Sequence, residues 1–181
     1  MARVTVIDPQ SATGDTKALF EAVQAKLGMV PNFIRILANS PAALTAFLGL
    51  HGIAGAGSLD AKTRERIALS VAEQNACQYC VSAHTAIGRR AGLDTQEIQA
   101  NRQGRSADAK AAAALTFSRA LVEHAGAVSK AEFEAVREAG HTDGEIIEII
   151  THVAMNIFTN LLGKATQVEI DFPKVELQRA A

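Results

Sequence analysis

Apolar residues along this chain recur at helical spacing almost throughout, while the alternation of a half-buried strand appears only in the brief run Arg3-Val4-Thr5-Val6-Ile7. That pattern predicts an all-α fold. Leu19, Phe20, Val23 and Leu27 mark a first amphipathic helix stopped by Gly28, and a short second helix is expected from Phe33 to Ala38. Ser40-Pro41 places a capping hydroxyl before a proline at the first helical position, opening a third helix to about Ile53. Gly52, Gly55 and Gly57 then read as a loop, and Asp60 as the cap of a fourth helix through Ile67 and Val71. An interruption is expected at Asn75-Ala76, before a helix from Cys77 to Arg90 that Gly92 ends. Asp94 opens a small helix ending near Gly104, and Ser106 to Glu123 and Lys130 to Glu138 supply two more. Thr142-Asp143-Gly144-Glu145 has the form of a capping box before a long closing helix, with Ile146, Ile150, Val153, Ile157 and Leu161 on one stripe. Ile147, Ile149 and Ala154 widen that stripe, so this helix should lie at the core or against another subunit.

Composition narrows the function. The 181 residues suit one domain, 1–181, with no linker-like composition shift. A formal net charge of -1 offers no basic field for a nucleic-acid backbone. The N-terminus carries no apolar leader, and no stretch comes near the ~20 apolar residues of a membrane span, so a cytoplasmic protein is expected. No dinucleotide fingerprint or phosphate-binding loop is visible, and no cofactor is called for.

The chemistry concentrates in residues 60–92. The only two cysteines form Cys77-Gln78-Tyr79-Cys80, and His84 follows one helical turn later. On a helix Cys77, Cys80 and His84 fall within roughly 60° of one another, so thiols and imidazole can meet. A thiol attacks as its thiolate, which a neighbouring base or a helix N-terminus favours; the second thiol can resolve a sulfenic acid into a disulfide. Zinc is the competing use, with Cys77, Cys80 and His84 as three ligands and Glu73 or water as a fourth. Two buried apolar cysteines are the bland alternative. A c-type haem is excluded because Val81, not histidine, follows the second cysteine. By spacing alone Glu73 is the better placed carboxylate, and His51, His124, His141 and His152 read as surface, cap or packing residues.

A glutamate, eleven residues, CxxC, three residues and a histidine, here Glu65, Cys77, Cys80 and His84, resemble the signature of the alkyl hydroperoxidase D and carboxymuconolactone decarboxylase superfamily. Val30-Pro31-Asn32-Phe33 and Asn156-Ile157-Phe158-Thr159-Asn160 resemble its peroxidase-related branch, extending the likeness from about Leu27 to Gly163. The resemblance implies a helical homo-oligomer, trimer or hexamer, with the dithiol near subunit contacts. It implies Cys80 as the thiol that attacks an organic hydroperoxide, Cys77 as the resolving thiol, Glu65 and His84 as the proton relay, and an external dithiol or thiol protein as reductant. It thereby moves the choice of carboxylate from Glu73 to Glu65. The fuller relay of the family can include a histidine between the cysteines, where Tyr79 stands here. The superfamily's other chemistry, decarboxylation of a muconolactone-type acid, and a non-enzymatic redox-sensing or zinc-binding oligomer are the alternatives.

Overall fold

Apolar side chains set at helical spacing, punctuated by side-chain caps, divide the chain into nine helices and no strand among the residues described by the computed structural model, 2–178. In α1 (Gly14–Leu27) Phe20 and Val23 turn inward, and Gly28 ends it in the left-handed region at φ 78°. The short α2 (Asn32–Leu37) begins at Pro31 and is nearly all buried. Its first N–H groups need acceptors, and the Asp171 carboxylate takes the one from Asn32 at 2.6 Å. Ser40 caps α3 (Pro41–Ala54) by accepting from the Ala43 N–H. This helix runs through Gly52, which the sequence reading had placed in a loop.

Asp60 caps α4 (Ala61–Gln74), the hub of the molecule: it packs on α5 (Gln78–Arg90), α6 (Thr95–Arg102), α7 (Ala109–Glu123) and α9 (Asp143–Thr166). A helix so surrounded must be apolar on most sides, and Ile67, Ala68, Leu69, Val71 and Ala72 are all buried. Truncating Ile67 to alanine would cost about 2–5 kcal/mol. Asp108 caps α7, later than the expected start at Ser106, while α8 (Lys130–Glu138) begins at a Ser129/Glu132 capping box. The Thr142/Glu145 capping box opens α9 where expected.

Two large apolar clusters result, with a small third of Leu69, Leu93 and Ile98. One joins α4, α7, α8 and α9 through Ile67, Val71, Leu115, Phe117, Val136, Ile146, Ile149 and Val153. The other holds Phe20, Phe33, Leu44, Tyr79 and Val81 together with both cysteines. Residues 168–178 form an irregular strap over the second cluster, tied to α5 where Ser82 Oγ accepts from the Val175 N–H at 3.1 Å. The run 3–7 is no strand; its Arg3 and Ile7 N–H groups go singly to the carbonyls of Thr166 and Arg35.

Helix α9 runs parallel to α4, anchored at one end where Glu148 accepts from the N–H groups of Ser58 and Leu59, and at the other where Asn75 donates to Asn160 at 2.9 Å. Its inward face is Ile146, Ile149, Val153 and Gly163 interleaved with His152, Asn156 and Asn160; Ile147, Phe158 and Leu161 point outward, Leu161 65% exposed. The expected stripe through Leu161 is thus turned: polar groups took inward positions. By length and composition α9 could cross a membrane, which corrects the reading that no stretch comes near that size. Its inward face is committed to α3, α4, α5, α7 and α8.

Candidate active site

The corner between α4 and α5 shapes the site. After Asn75 the chain enters the left-handed region at Ala76, φ 52°. The Cys77 N–H returns to the Ala72 carbonyl at 2.9 Å and the Ala76 N–H to that of Glu73 at 3.0 Å, a pair of bonds that closes a helix and usually employs glycine at this position. Alanine there costs about 1 kcal/mol. Cys77 then becomes the N-cap of α5, not its first residue, and Cys80 lies in the first turn. Both sulfurs therefore sit at the end of α5 where unpaired N–H groups favour negative charge.

Cys77 and Cys80 are joined as a disulfide with their Cα atoms 5.3 Å apart, and they are 1% and 3% exposed. Helix α9 covers them at Gly163: a Cβ added there would lie 3.3 Å from Cys77 Sγ and 3.9 Å from Cys80 Sγ. Glycine is what lets α9 approach the sulfurs so closely.

One turn past Cys80, His84 Nδ1 is 2.8 Å from Glu65 Oε2, with the two side chains 22% and 17% exposed. Antiparallel packing of α4 and α5 makes this possible, with Gly88 facing Glu65: a Cβ on it would lie 3.8 Å from Glu65 Cβ, at ordinary contact distance. With Nδ1 engaged by the carboxylate, Nε2 is the ring nitrogen left for proton exchange.

Glu73, favoured by spacing, is turned to other use. Its Oε2 accepts from Arg102 Nε at 2.7 Å, the two side chains 2% and 3% exposed, and its Oε1 accepts from the Gln178 N–H. Tyr79 also turns away from the sulfurs. Its hydroxyl accepts from the Phe33 N–H at 3.3 Å and donates to Asp171 Oδ1 at 2.9 Å. Burial, then the Asp171 charge, raise its pKa well above the usual phenol range. Tyr79 thus ties α5 to α2 and the strap.

Among the histidines, His124 lies 3.7 Å from Glu132 and His141 Nε2 2.9 Å from the Lys110 carbonyl, as cap and packing residues do. His51 and His152 differ. Burial, then Lys26 and His84, lower the pKa of His51, while burial and then Arg64 lower that of His152; Glu65 acts on both in the opposite sense. Both imidazoles therefore belong to the surroundings of Glu65, a placement missed in the sequence reading. The available signal was the row Glu148, His152, Asn156, Asn160 and Lys164, polar at every fourth position of an otherwise apolar helix. No group of three or more histidine, cysteine, aspartate or glutamate side chains is arranged to hold a metal ion among the described residues.

Residues 41–123, which span this corner, match the carboxymuconolactone decarboxylase family. No curated protein matches the chain in sequence. Among solved structures, an uncharacterized peroxidase-related protein from Silicibacter sp. TM1040 superposes with a TM-score of 0.83 at 28% identity, covering 93% of this chain and 91% of its own. An alkylhydroperoxidase AhpD core, a peroxidase-related protein from Ralstonia eutropha JMP134, gives 0.85 at 26% identity, covering 94% and 92%. The debrominase Bmp8 shares the fold, with a TM-score of 0.80 at 24% identity and coverage of 93% and 91%. Helical fold, dithiol corner and matched segment together support the likeness to the alkyl hydroperoxidase D-like and carboxymuconolactone decarboxylase superfamily.

Proposed function

We propose that this protein is a thiol-dependent peroxidase that reduces organic hydroperoxides with the Cys77/Cys80 dithiol. The observation that carries the reading is a paired CxxC at a helix N-terminus, one turn from an imidazole whose other nitrogen is held by a carboxylate. In the reduced protein His84 Nε2 takes the Cys80 proton, and Glu65, holding the ring at Nδ1, is the second member of the proton relay. The Cys80 thiolate attacks the terminal peroxide oxygen; the O–O bond breaks, and the departing alkoxide receives the proton as ROH. Cys77 then attacks the Cys80 sulfenic acid, forming the disulfide and releasing water, with its thiol proton going to the leaving hydroxide. An external dithiol returns two electrons and two protons, and a reducing cytoplasm is the compartment that suits such a donor.

We further propose that the chain works as a homo-oligomer, a trimer or hexamer. Support comes from the outward apolar residues of α9 together with Leu50 and Ile53 on α3, the latter 77% exposed. The decarboxylase alternative has no use for two thiols that can pair.

Stopped-flow consumption of a small organic peroxide by the reduced protein tests the assignment, with free thiols counted before and after. One peroxide consumed with both thiols lost is the expected result, and Cys80→Ser should abolish turnover. Peroxide consumption undiminished in that variant would overturn the reading.

A further inference from the structure

Each end of α9 is pinned to the α4 side of the molecule: Glu148 to the N–H groups of Ser58 and Leu59, Asn160 and Lys164 to Asn75. With the two helices parallel between those anchors, the register sets His152 level with Arg64 and Glu65. Its electrostatic interaction with both agrees with that placement. His152 is 3% exposed. One ring nitrogen bonds to the Ala54 backbone, while Nε2 is buried without a hydrogen-bond partner. A ring that donates Nδ1–H to a carbonyl carries a lone pair on Nε2, and burying such an acceptor unpaired costs about 1–3 kcal/mol. That cost calls for an explanation at a histidine set beside a catalytic candidate.

We infer that His152 is a positioning residue for the relay: its buried Nε2 accepts a hydrogen bond from Glu65 when the proton withdrawn from Cys80 passes through His84 to that carboxyl group. The inference rests on the peroxidase reading for its purpose, though not for its test. The proton balance is simple. Cys80 loses H⁺, His84 Nε2 gains it and releases Nδ1–H to the Glu65 carboxyl group, whose O–H then turns to His152 Nε2, and His152 stays neutral throughout. The proton returns by the same route to the alkoxide. Burial supports this role by lowering the pKa of His152, keeping the ring an acceptor. The charged and titratable groups around it are Arg64 and Glu65 from α4, Glu148 from its own helix and His51 from α3.

The test needs no peroxide. Cys80 ionisation is followed by ultraviolet thiolate absorbance in the reduced protein, comparing wild type, His152→Phe, Glu65→Gln and the double variant. His152→Phe should raise the apparent thiol pKa by about half to one unit, and should add nothing once Glu65 is Gln, because the two act on one proton. A merely structural role leaves the thiol unmoved or shifts it equally in both backgrounds; either result overturns the inference. Should His152→Phe fail to fold, nitrogen-15 shifts of the wild-type ring decide: the Nδ1–H tautomer, with an Nε2 signal that moves as Cys80 ionises, is expected. The Nε2–H tautomer overturns it. A protein that titrates as stated yet spares peroxide keeps His152 and loses the peroxidase reading, and the converse result separates them the other way.

Discussion

Glu65 and Glu73 stand two helical turns apart on α4, and their surroundings give them opposite properties. Glu73 faces a guanidinium in a nearly sealed pocket, where the pair also fastens the strap: Gln178 N–H donates to Glu73, and Arg102 Nη2 donates to the Glu176 carbonyl at 2.5 Å. Arginine does not give up its proton near neutral pH, so this pair holds a fixed charge distribution. Glu65 faces an imidazole, a side-chain type able to exchange protons near neutral pH, at a site partly open to water. Burial of a carboxylate is therefore no guide to its role. The partner's ability to titrate is.

Substitution at each carboxylate can break this contrast. Glu65→Gln should lower the rate of peroxide reduction by about 10²–10⁴-fold, the usual weight of positioned acid–base groups, with little change in the denaturation midpoint. A large stability loss with an unchanged rate would reverse the assignment. Glu73→Ala should do the opposite, costing about 3–5 kcal/mol in urea unfolding by stranding Arg102, while leaving the rate per folded molecule near wild type.

A third carboxylate sharpens the comparison with a pH dependence. Burial alone would raise the pKa of Glu97, but hydrogen bonds from Ser106, Asn101, the Ala107 N–H and Arg66 hold it at about 2, against an ordinary 4.5. A lowered folded-state pKa stabilises the fold above 4.5, and that contribution is lost as pH falls from 4.5 through about 2. Acid titration of thermal stability should show this loss in wild type and a smaller one in Glu97→Gln; equal losses would count against it. The smallest effect belongs to the corner itself. Ala76→Gly should raise stability by about 0.5–1 kcal/mol, since glycine accepts the left-handed backbone freely, and a drop in the midpoint would show that the alanine methyl is packed to advantage.

What the sequence disclosed follows from how local each determinant is. Caps at Ser40, Asp60, Asp94 and Thr142 act within four residues and were legible as such. So was the break before Cys77, although its left-handed Ala76 was not, because alanine is an ordinary helix former and only the surrounding packing holds it there. Glu65 could not be chosen over Glu73 from helical spacing, since the α4–α5 turn determines which carboxylate meets His84; the family signature supplied that choice. Arg102 and the strap lie far along the chain from Glu73, and nothing near Glu73 announces them. The inward turn of His152, Asn156 and Asn160 likewise depends on which side of α9 faces α4, a question that a helix apolar on most sides leaves open.

Gly163 carries a last consequence. Sulfurs that share a bond must draw apart to ordinary contact distance when the bond is reduced, and a protein interior packed like an organic crystal gives such movement no room by default. Where any other residue would press a Cβ against Cys77 Sγ and touch Cys80 Sγ, α9 has only a hydrogen atom. Clearance for the two sulfurs to part is thus built in as one absent carbon.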